Sequence, residues 1–266
     1  MTSDMAMQSE RDNMLPLKGK VVLVTGASRG IGAASAEALA RAGASIFLAA
    51  EGTEAELNDV ASRCKRASGS PAAFGIFDLS NASEASRMVD AAVSNLGRVD
   101  VLINNAGIRI RHPFGEFTSE EFDKLVAVNL RAPFLASQAV LPTMRKIGGG
   151  RIINVASQMG LVAAETSALY GMAKAALIYL TKAMAVDLAK QNITVNTISP
   201  GPIATEFTME QMRLREGYKE QREALVPLGR WGTPEEIAEA IVFLASTSAT
   251  FLHGSNLLID GGYTLI

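Results

Sequence analysis

Tyr170 and Lys174 stand four residues apart, ahead of the apolar positions Ala175, Leu177, Ile178 and Leu180, whose spacing is helical. On a helix that spacing puts both side chains on one face, within reach of each other. A phenol beside an ammonium is a proton-transfer device, because the cation favours the phenolate. Moving a tyrosine from its usual pKa of ~10 to ~7–8 takes roughly 3–4 kcal/mol, much of which one close cation could supply. Ser157 follows the strand-like run Arg151-Ile-Ile-Asn-Val-Ala156. Its hydroxyl therefore lies at the C-terminal end of a strand, where open parallel sheets bind their ligands. Each residue alone has an ordinary explanation, the tyrosine as a core edge, the lysine as a solvated stem and the serine as turn chemistry. Their surroundings decide.

A second constellation lies far upstream. Lys20-Val-Val-Leu-Val-Thr25 is a continuous apolar run of the kind buried on both faces of a parallel sheet. It ends in Gly26-Ala-Ser-Arg-Gly30-Ile-Gly32, and an alanine-rich helix follows to Ala42, stopped by Gly43. A glycine turn between strand and helix lets the backbone approach a pyrophosphate at the helix N-terminus. The spacing is GxxxGxG rather than the commoner GxGxxG.

The intervening elements must bring these two regions together. Strands are expected at Ser45–Ala50, Ala72–Phe77, Val99–Asn104, Arg151–Ala156, Ile193–Ile198 and Asn256–Asp260. Helices fall between them, including Thr53–Ser68, about Ser83–Leu96, Ser119–Met144 with a break near Asn129 allowed by Pro133, and one opened by Pro234. Strand and helix alternate with short joins. This predicts an α/β fold, a single Rossmann-type doubly wound domain over 18–266, with about seven parallel strands and helices on both faces. Residues 1–17 read as a mobile tail without the apolar stretch of a signal peptide. Residues 203–226 mix charge and apolar character and read as a helical substrate flap, in which Met209, Met212 and Leu214 could close over a substrate or meet another subunit.

Composition narrows the function. In 266 residues, 48% are hydrophobic and 20% charged, ordinary for a globular domain with a sizeable core. The net charge of -2 offers no basic field, so nucleic acid is not an expected partner. The single cysteine, Cys64, excludes an internal disulfide and points to a reducing, cytoplasmic setting. With only His112 and His253 and no HExxH or CxxC spacing, no metal site is expected. No apolar run is seen to reach the roughly 18 residues of a membrane span.

Taken in order, Thr25-Gly-Ala-Ser-Arg-Gly-Ile-Gly32, Asp78-Leu79, Asn104-Asn-Ala-Gly107, Val128-Asn129, Ser157, Tyr170-xxx-Lys174 and Pro200-Gly201 resemble the motif series of the short-chain dehydrogenase/reductase family. The resemblance runs from about Lys18 to the C-terminus. It departs from the common pattern at Ala173 and Gln158, where the family often has serine; neither change removes a catalytic group. It implies an NAD(P)-dependent enzyme acting on CH–OH groups, with Asn129, Ser157, Tyr170 and Lys174 as the catalytic set. Tyr170 would be the general acid or base, Lys174 would lower its pKa and hold the nicotinamide ribose, and Ser157 would bind the substrate oxygen. Asn129 would hold a water linking Lys174 to solvent. The cofactor would meet Gly26, Ser28, Arg29, Gly30, Ile31 and Gly32 in the glycine turn. Asp78 and Leu79 would lie at the adenine, Asn105, Ala106 and Gly107 at its ribose, and Pro200, Gly201, Ile203 and Thr205 at the carboxamide.

The end of the second strand bears on cofactor choice. Ala50 neither binds a ribose hydroxyl nor repels a phosphate, Glu51 would disfavour a 2′-phosphate, and Arg29 would favour one. The balance leans to NADP(H). Arg109-Ile-Arg-His-Pro-Phe-Gly-Glu-Phe117 and Leu228-Gly-Arg-Trp-Gly232 are similar to segments of the gluconate 5-dehydrogenase branch of the family. The substrate contacts expected there are Arg109, Arg111 and Gln158. Arg111 is either a carboxylate partner or part of a solvated loop held by Glu116. A 3-oxoacyl-thioester reductase or general ketoreductase stands beside that reading, and a nucleotide-binding regulator without catalysis stands further off. The family also implies a homotetramer built through the helices that carry Phe134, Leu135, Ile178, Leu180 and Met184.

Overall fold

The structure, a computed structural model, describes residues 15–266. Seven parallel strands form one sheet in the order β3-β2-β1-β4-β5-β6-β7. These are β1 Val21–Thr25, β2 Ser45–Ala50, β3 Ala72–Ile76, β4 Val101–Asn104, β5 Gly150–Val155, β6 Ile193–Pro200 and β7 Asn256–Ile259. The central strands are apolar at nearly every position because both faces are covered: Val22, Leu23 and Val24 of β1 are all 0% exposed.

On one face pack helices α1 (Gly30–Arg41), α2 (Glu54–Ser68) and α9 (Pro234–Ser246), burying Leu39, Leu57 and Ile241 against Val22, Ile46 and Ile103. On the other pack α3 (Ala82–Leu96), α5 (Ala132–Lys146) and α6 (Ala168–Leu188), with Met88, Val140 and Leu188 against Leu23, Leu102 and Val195. Capping boxes start three helices: Thr53 with Glu56, Thr118 with Glu121 at α4 (Ser119–Val126), and Thr233 with Glu236 ahead of Pro234. The order of the strands reverses between β1 and β4, which opens a crevice at their C-terminal ends, between the glycine turn and Asn105–Gly107.

Three expectations need correction. No break occurs at Pro133: α4, a wide π turn over Ala127–Arg131 and α5 run on as one helical stretch, Ser119–Lys146. Pro133 has no N–H to offer the Asn129 carbonyl four residues back, and the irregularity expected near Asn129 takes the form of this wider turn. That stretch is also long and apolar enough, by length and composition, to cross a membrane, contrary to the sequence reading. Here it is a core helix, packed on α3 and α6 with half of its apolar window buried. Finally, the expected tail lies outside the described residues up to Met14, but its last residue, Leu17, is 2% exposed in the core and bonds its N–H to Ala42 O at 2.9 Å.

Candidate active site

Beyond β1 the chain turns on Gly26 (φ +64°) and Gly30 (φ +56°) into α1. A Cβ on Gly32 would lie 2.1 Å from the Gly26 carbonyl oxygen, and one on Gly26 would lie 2.8 Å from Ala106 Cα, so only hydrogen fits at either position. No side chain caps α1 and its first turn holds no acid, which leaves the N-terminal amides to an anionic ligand. The groove beside it, about 300 Å³, is lined by Gly26, Ser28, Arg29, Gly30, Ile31 and Gly32 on one side and by Ala50, Glu51, Phe77, Leu79 and Ala106 on the other. A glycine cradle, free helix amides and a neighbouring guanidinium are what a dinucleotide pyrophosphate requires.

Two residues expected at the cofactor do other work. Asp78 is exposed and outside the groove wall, its Oδ1 accepting from Ser80 N at 2.9 Å; the Ser80 hydroxyl first and this backbone bond second hold its carboxyl below the usual range. Asn105 borders the groove, but its side chain braces the glycine turn, Nδ2 donating to Thr25 O at 2.9 Å and to Gly26 O at 3.1 Å. Thr25 completes the brace, its Oγ1 accepting from the N–H groups of Asn105 and Ala106 at 2.9 and 3.0 Å.

A larger cavity, about 510 Å³, adjoins this groove through Arg29, Ile31, Asn105, Gly107, Ile108 and Thr205. Ser157, Tyr170 and Lys174 all lie on its wall, with Gln158, Pro200, Gly201 and Ile203. Ser157 follows β5, its Oγ accepting from Met159 N at 3.2 Å, and its hydroxyl lies close enough to Tyr170 to favour the phenolate. Lys174 is 3% exposed and donates from Nζ to Val155 O at 2.8 Å. The pair does not behave as the spacing suggests. Burial pushes the Tyr170 phenol up from its ordinary value, opposed first by the Arg109 guanidinium and then by the Ser157 hydroxyl. Burial also pushes Lys174 down to about 8. Arg109, its guanidinium 5.3 Å from the Tyr170 ring centroid, is the cation that favours the phenolate here.

Asn129 is fully buried, but both ends of its amide are taken: Nδ2 donates to Ile108 O and Oδ1 accepts from Ile108 N, each at 2.8 Å. Its side chain therefore serves to fix the loop at Ile108. Asn129 and Lys174 do converge on Gly107, since a Cβ there would lie 3.4 Å from Asn129 Oδ1 and 3.5 Å from Lys174 Nζ.

Of the expected substrate residues, Arg109 and Gln158 line the cavity and Arg111 does not. Arg111 turns to Thr166, Nε to Oγ1 at 3.2 Å, and the Tyr218 hydroxyl lies near enough to favour its charge. The expected flap forms two helices, α7 Glu206–Leu214 and α8 Tyr218–Glu223. Met209 and Leu214 point outward, 57% and 66% exposed, and Met212 is off the cavity wall. Thr208, Tyr218 and Arg222 face the cavity instead, beside Trp231 of the Leu228–Gly232 segment, and those three did not stand out in the sequence. Their signal was weak because α7 and α8 are short and carry no regular apolar stripe.

A buried polar ladder that the sequence also hid runs beneath the site. Asn104 Nδ2 donates to Asn154 Oδ1 at 2.9 Å, Asn154 Nδ2 to Thr181 Oγ1 at 2.8 Å, and Thr197 Oγ1 to the same Thr181 oxygen at 2.7 Å. It ties β4, β5 and β6 to α6, the helix bearing Tyr170 and Lys174.

Known proteins share this arrangement. A family model described as enoyl-(acyl carrier protein) reductase matches residues 26–264. Cyclopentanol dehydrogenase of Comamonas sp. (strain NCIMB 9872) is 41% identical over 247 residues, 92% of this chain and 97% of that protein. Gluconate 5-dehydrogenase of Gluconobacter oxydans is 38% identical over 253 residues, 95% and 98% of the two chains. The crystal structure of a blue fluorescent protein from a metagenomic library in complex with NADPH superposes with a TM-score of 0.86 at 33% identity, covering 93% of this chain and 99% of that one. The chain belongs to the short-chain dehydrogenase/reductase family and is an oxidoreductase acting on CH–OH groups.

Proposed function

We propose that this chain interconverts a ketone and a secondary alcohol on a small polar substrate of the sugar-acid type, with preference for NADP(H). The observation that carries the reaction is that Ser157, Tyr170 and Lys174 share the wall of a cavity that opens into the glycine groove. When bound, the nicotinamide dinucleotide supplies or accepts the hydride. Gly26, Gly30, Gly32 and Arg29 would hold its phosphates, and Pro200, Gly201, Ile203 and Thr205 its nicotinamide end.

Ser157 binds the substrate oxygen and opposes the charge that develops there. Tyr170 gives a proton to that oxygen in reduction and takes it in oxidation. Lys174, held at Val155 O, sits behind Tyr170 and passes the proton on. All four positions carry competent groups, which argues against a purely regulatory nucleotide binder. Turnover of any carbonyl with NAD(P)H that survives Tyr170→Phe undiminished would sink the mechanism.

The cofactor preference rests on Arg29, which can pair with a 2′-phosphate at the groove wall, and on the NADPH held by the metagenomic relative. Glu51 on the same wall opposes it. A hundredfold preference for NADH in KM, roughly 2.7 kcal/mol, would end this reading. The 3-oxoacyl-thioester alternative is favoured by the description of the matching family model. A screen of keto sugar acids, 3-oxoacyl thioesters and simple diketones with both cofactors, followed by nicotinamide absorbance, decides between them.

A homotetramer in the reducing cytoplasm completes the proposal. Its support is an outward apolar face, with Tyr179 and Val186 of α6 73% and 79% exposed and Phe134 of α5 42% exposed. Ile178, expected on that face, is buried instead. Cys64, buried in α2 with its thiol pushed up to about 12, supports the compartment. A monomer in light scattering would contradict the assembly, and recovery of the native protein in a secreted fraction the location.

A further inference from the structure

The cavity wall carries charge of one sign. Arg29, Arg109, Lys174 and Arg222 line it, and no aspartate or glutamate does; Glu51 and Glu206 border the adjoining groove. Arg109 comes from the loop after β4 and Arg222 from α8 of the flap, so two separate segments bring their guanidiniums to the same mouth. Arg111 lies beside both, near enough that each disfavours its charge, after burial itself.

Among the described residues none of Arg109, Arg111 and Arg222 is in an ion pair with a carboxylate. Arg109 Nε is buried with no hydrogen-bond partner, and its terminal nitrogen reaches only Ser167 Oγ, at 3.4 Å. The Arg222 guanidinium lies 5.5 Å from the Tyr218 ring centroid, a contact that orients it without neutralising it. Three neighbouring cations without a counter-ion repel one another and are costly to desolvate. An anion between them removes both penalties, and the planar guanidinium fork suits a carboxylate or a phosphate.

We propose that the cavity takes an anionic substrate whose charged head group, carboxylate or phosphate, lies between Arg109 and Arg222 while its alcohol or ketone carbon faces Ser157 and Tyr170. This deepens the oxidoreductase reading of the same pocket and rests on it. Because Arg222 belongs to the flap, the head group also ties the flap to the loop after β4. A neutral alcohol cannot make that link.

Trp231 is the only tryptophan of the chain and lies on the cavity wall, so its fluorescence reports occupancy without turnover. The full-length protein carrying Tyr170→Phe to stop turnover, with saturating oxidised cofactor, is titrated with D-gluconate, with glucitol 6-phosphate and with uncharged D-glucitol. The expected result is that at least one anion binds ten times or more tightly than glucitol; which one distinguishes carboxylate from phosphate. In Arg109→Gln and Arg222→Gln that ratio falls toward one, and in Arg222→Lys it is partly kept, with circular dichroism verifying the fold. Glucitol binding as tightly as both anions, or a ratio unchanged in both glutamine variants, overturns the proposal. The two readings fail separately. Anion binding with no hydride transfer to any carbonyl removes the oxidoreductase mechanism and leaves the anion site, whereas turnover of neutral alcohols with no preference for anions does the reverse.

Discussion

Lys174 donates its Nζ hydrogen bond to the Val155 carbonyl at 2.8 Å, and the same nitrogen lies 5.8 Å from the centroid of the Tyr170 ring. The helix spacing puts the two side chains together, but the lysine is anchored to the strand beneath and buried, which lowers its own affinity for a proton to about 8. A buried lysine of this kind costs stability whenever it is charged.

The sign of that cost sets a first prediction. Below pH about 8 Lys174 is protonated in both folded and unfolded chains, and the whole penalty of burying charge is present. Between about 8 and 10.5 the unfolded chain binds a proton that the folded one does not, so this contribution to stability rises with pH. Lys174→Met is therefore expected to be more stable than wild type at pH 7, with the gap closing towards pH 10.5. Urea denaturation of both proteins across that range checks it; a gap that widens with pH contradicts the assignment.

Arg109 is the cation acting on the phenol, and its loss should move the pH profile. Arg109→Gln removes a charge that favours phenolate, so the alkaline limb of alcohol oxidation shifts upward. Oxidation then slows near neutrality and recovers at higher pH. The profile is measured with a neutral secondary alcohol, which keeps the anion site out of the comparison. A limb that stays in place or moves down rejects the electrostatic role.

Tyr170→Phe keeps the ring and removes the proton. Rate loss for a missing general acid or base is about 10²- to 10⁴-fold, and a loss of that order in kcat/KM is expected in both directions. Cofactor binding, followed by quenching of Trp231, should persist, which separates lost chemistry from lost folding.

Gly32→Ala would force a methyl group to within 2.1 Å of the Gly26 carbonyl oxygen. The turn must open, at a cost of about 1–3 kcal/mol. Weaker binding of both NADH and NADPH, with little change in their ratio, is expected in calorimetry, because the turn faces the shared pyrophosphate.

Asn154→Ala cuts the ladder between Asn104 and Thr181 and removes one hydrogen bond from each, leaving Asn104 to Ser137 and Thr181 to Leu177 and Thr197. Each lost bond costs about 0.5–1.5 kcal/mol. A lower urea midpoint is expected, together with a fall in kcat beyond what the loss of folded protein explains, since α6 loses a tie that aims Tyr170.

Much of the molecule was legible in the residues themselves. The apolar strand Val21–Thr25, the glycine turn after it and the alternation of strands and helices are local patterns, so all seven strands fell where expected. Ser157, Tyr170 and Lys174 were legible because a strand end and a helix turn place them with little freedom. Asp78, Asn105 and Asn129 show the limit. Their positions were right, but their hydrogen bonds go to Ser80, to the glycine turn and to Ile108, partners distant or conformationally specific enough to leave no periodic trace.

The chain alone determined a doubly wound sheet, a dinucleotide cradle and a serine, tyrosine and lysine set, because these depend on short-range spacing and on the absence of Cβ at particular glycines. Folding decided which cation governs the phenol and what charge the substrate cavity presents. Arg109 and Arg222 are over a hundred residues apart in sequence and meet only when the loop after β4 and the helix after β6 close over the same strand ends. Electrostatic influence falls off with distance in space, and only the packed sheet sets that distance.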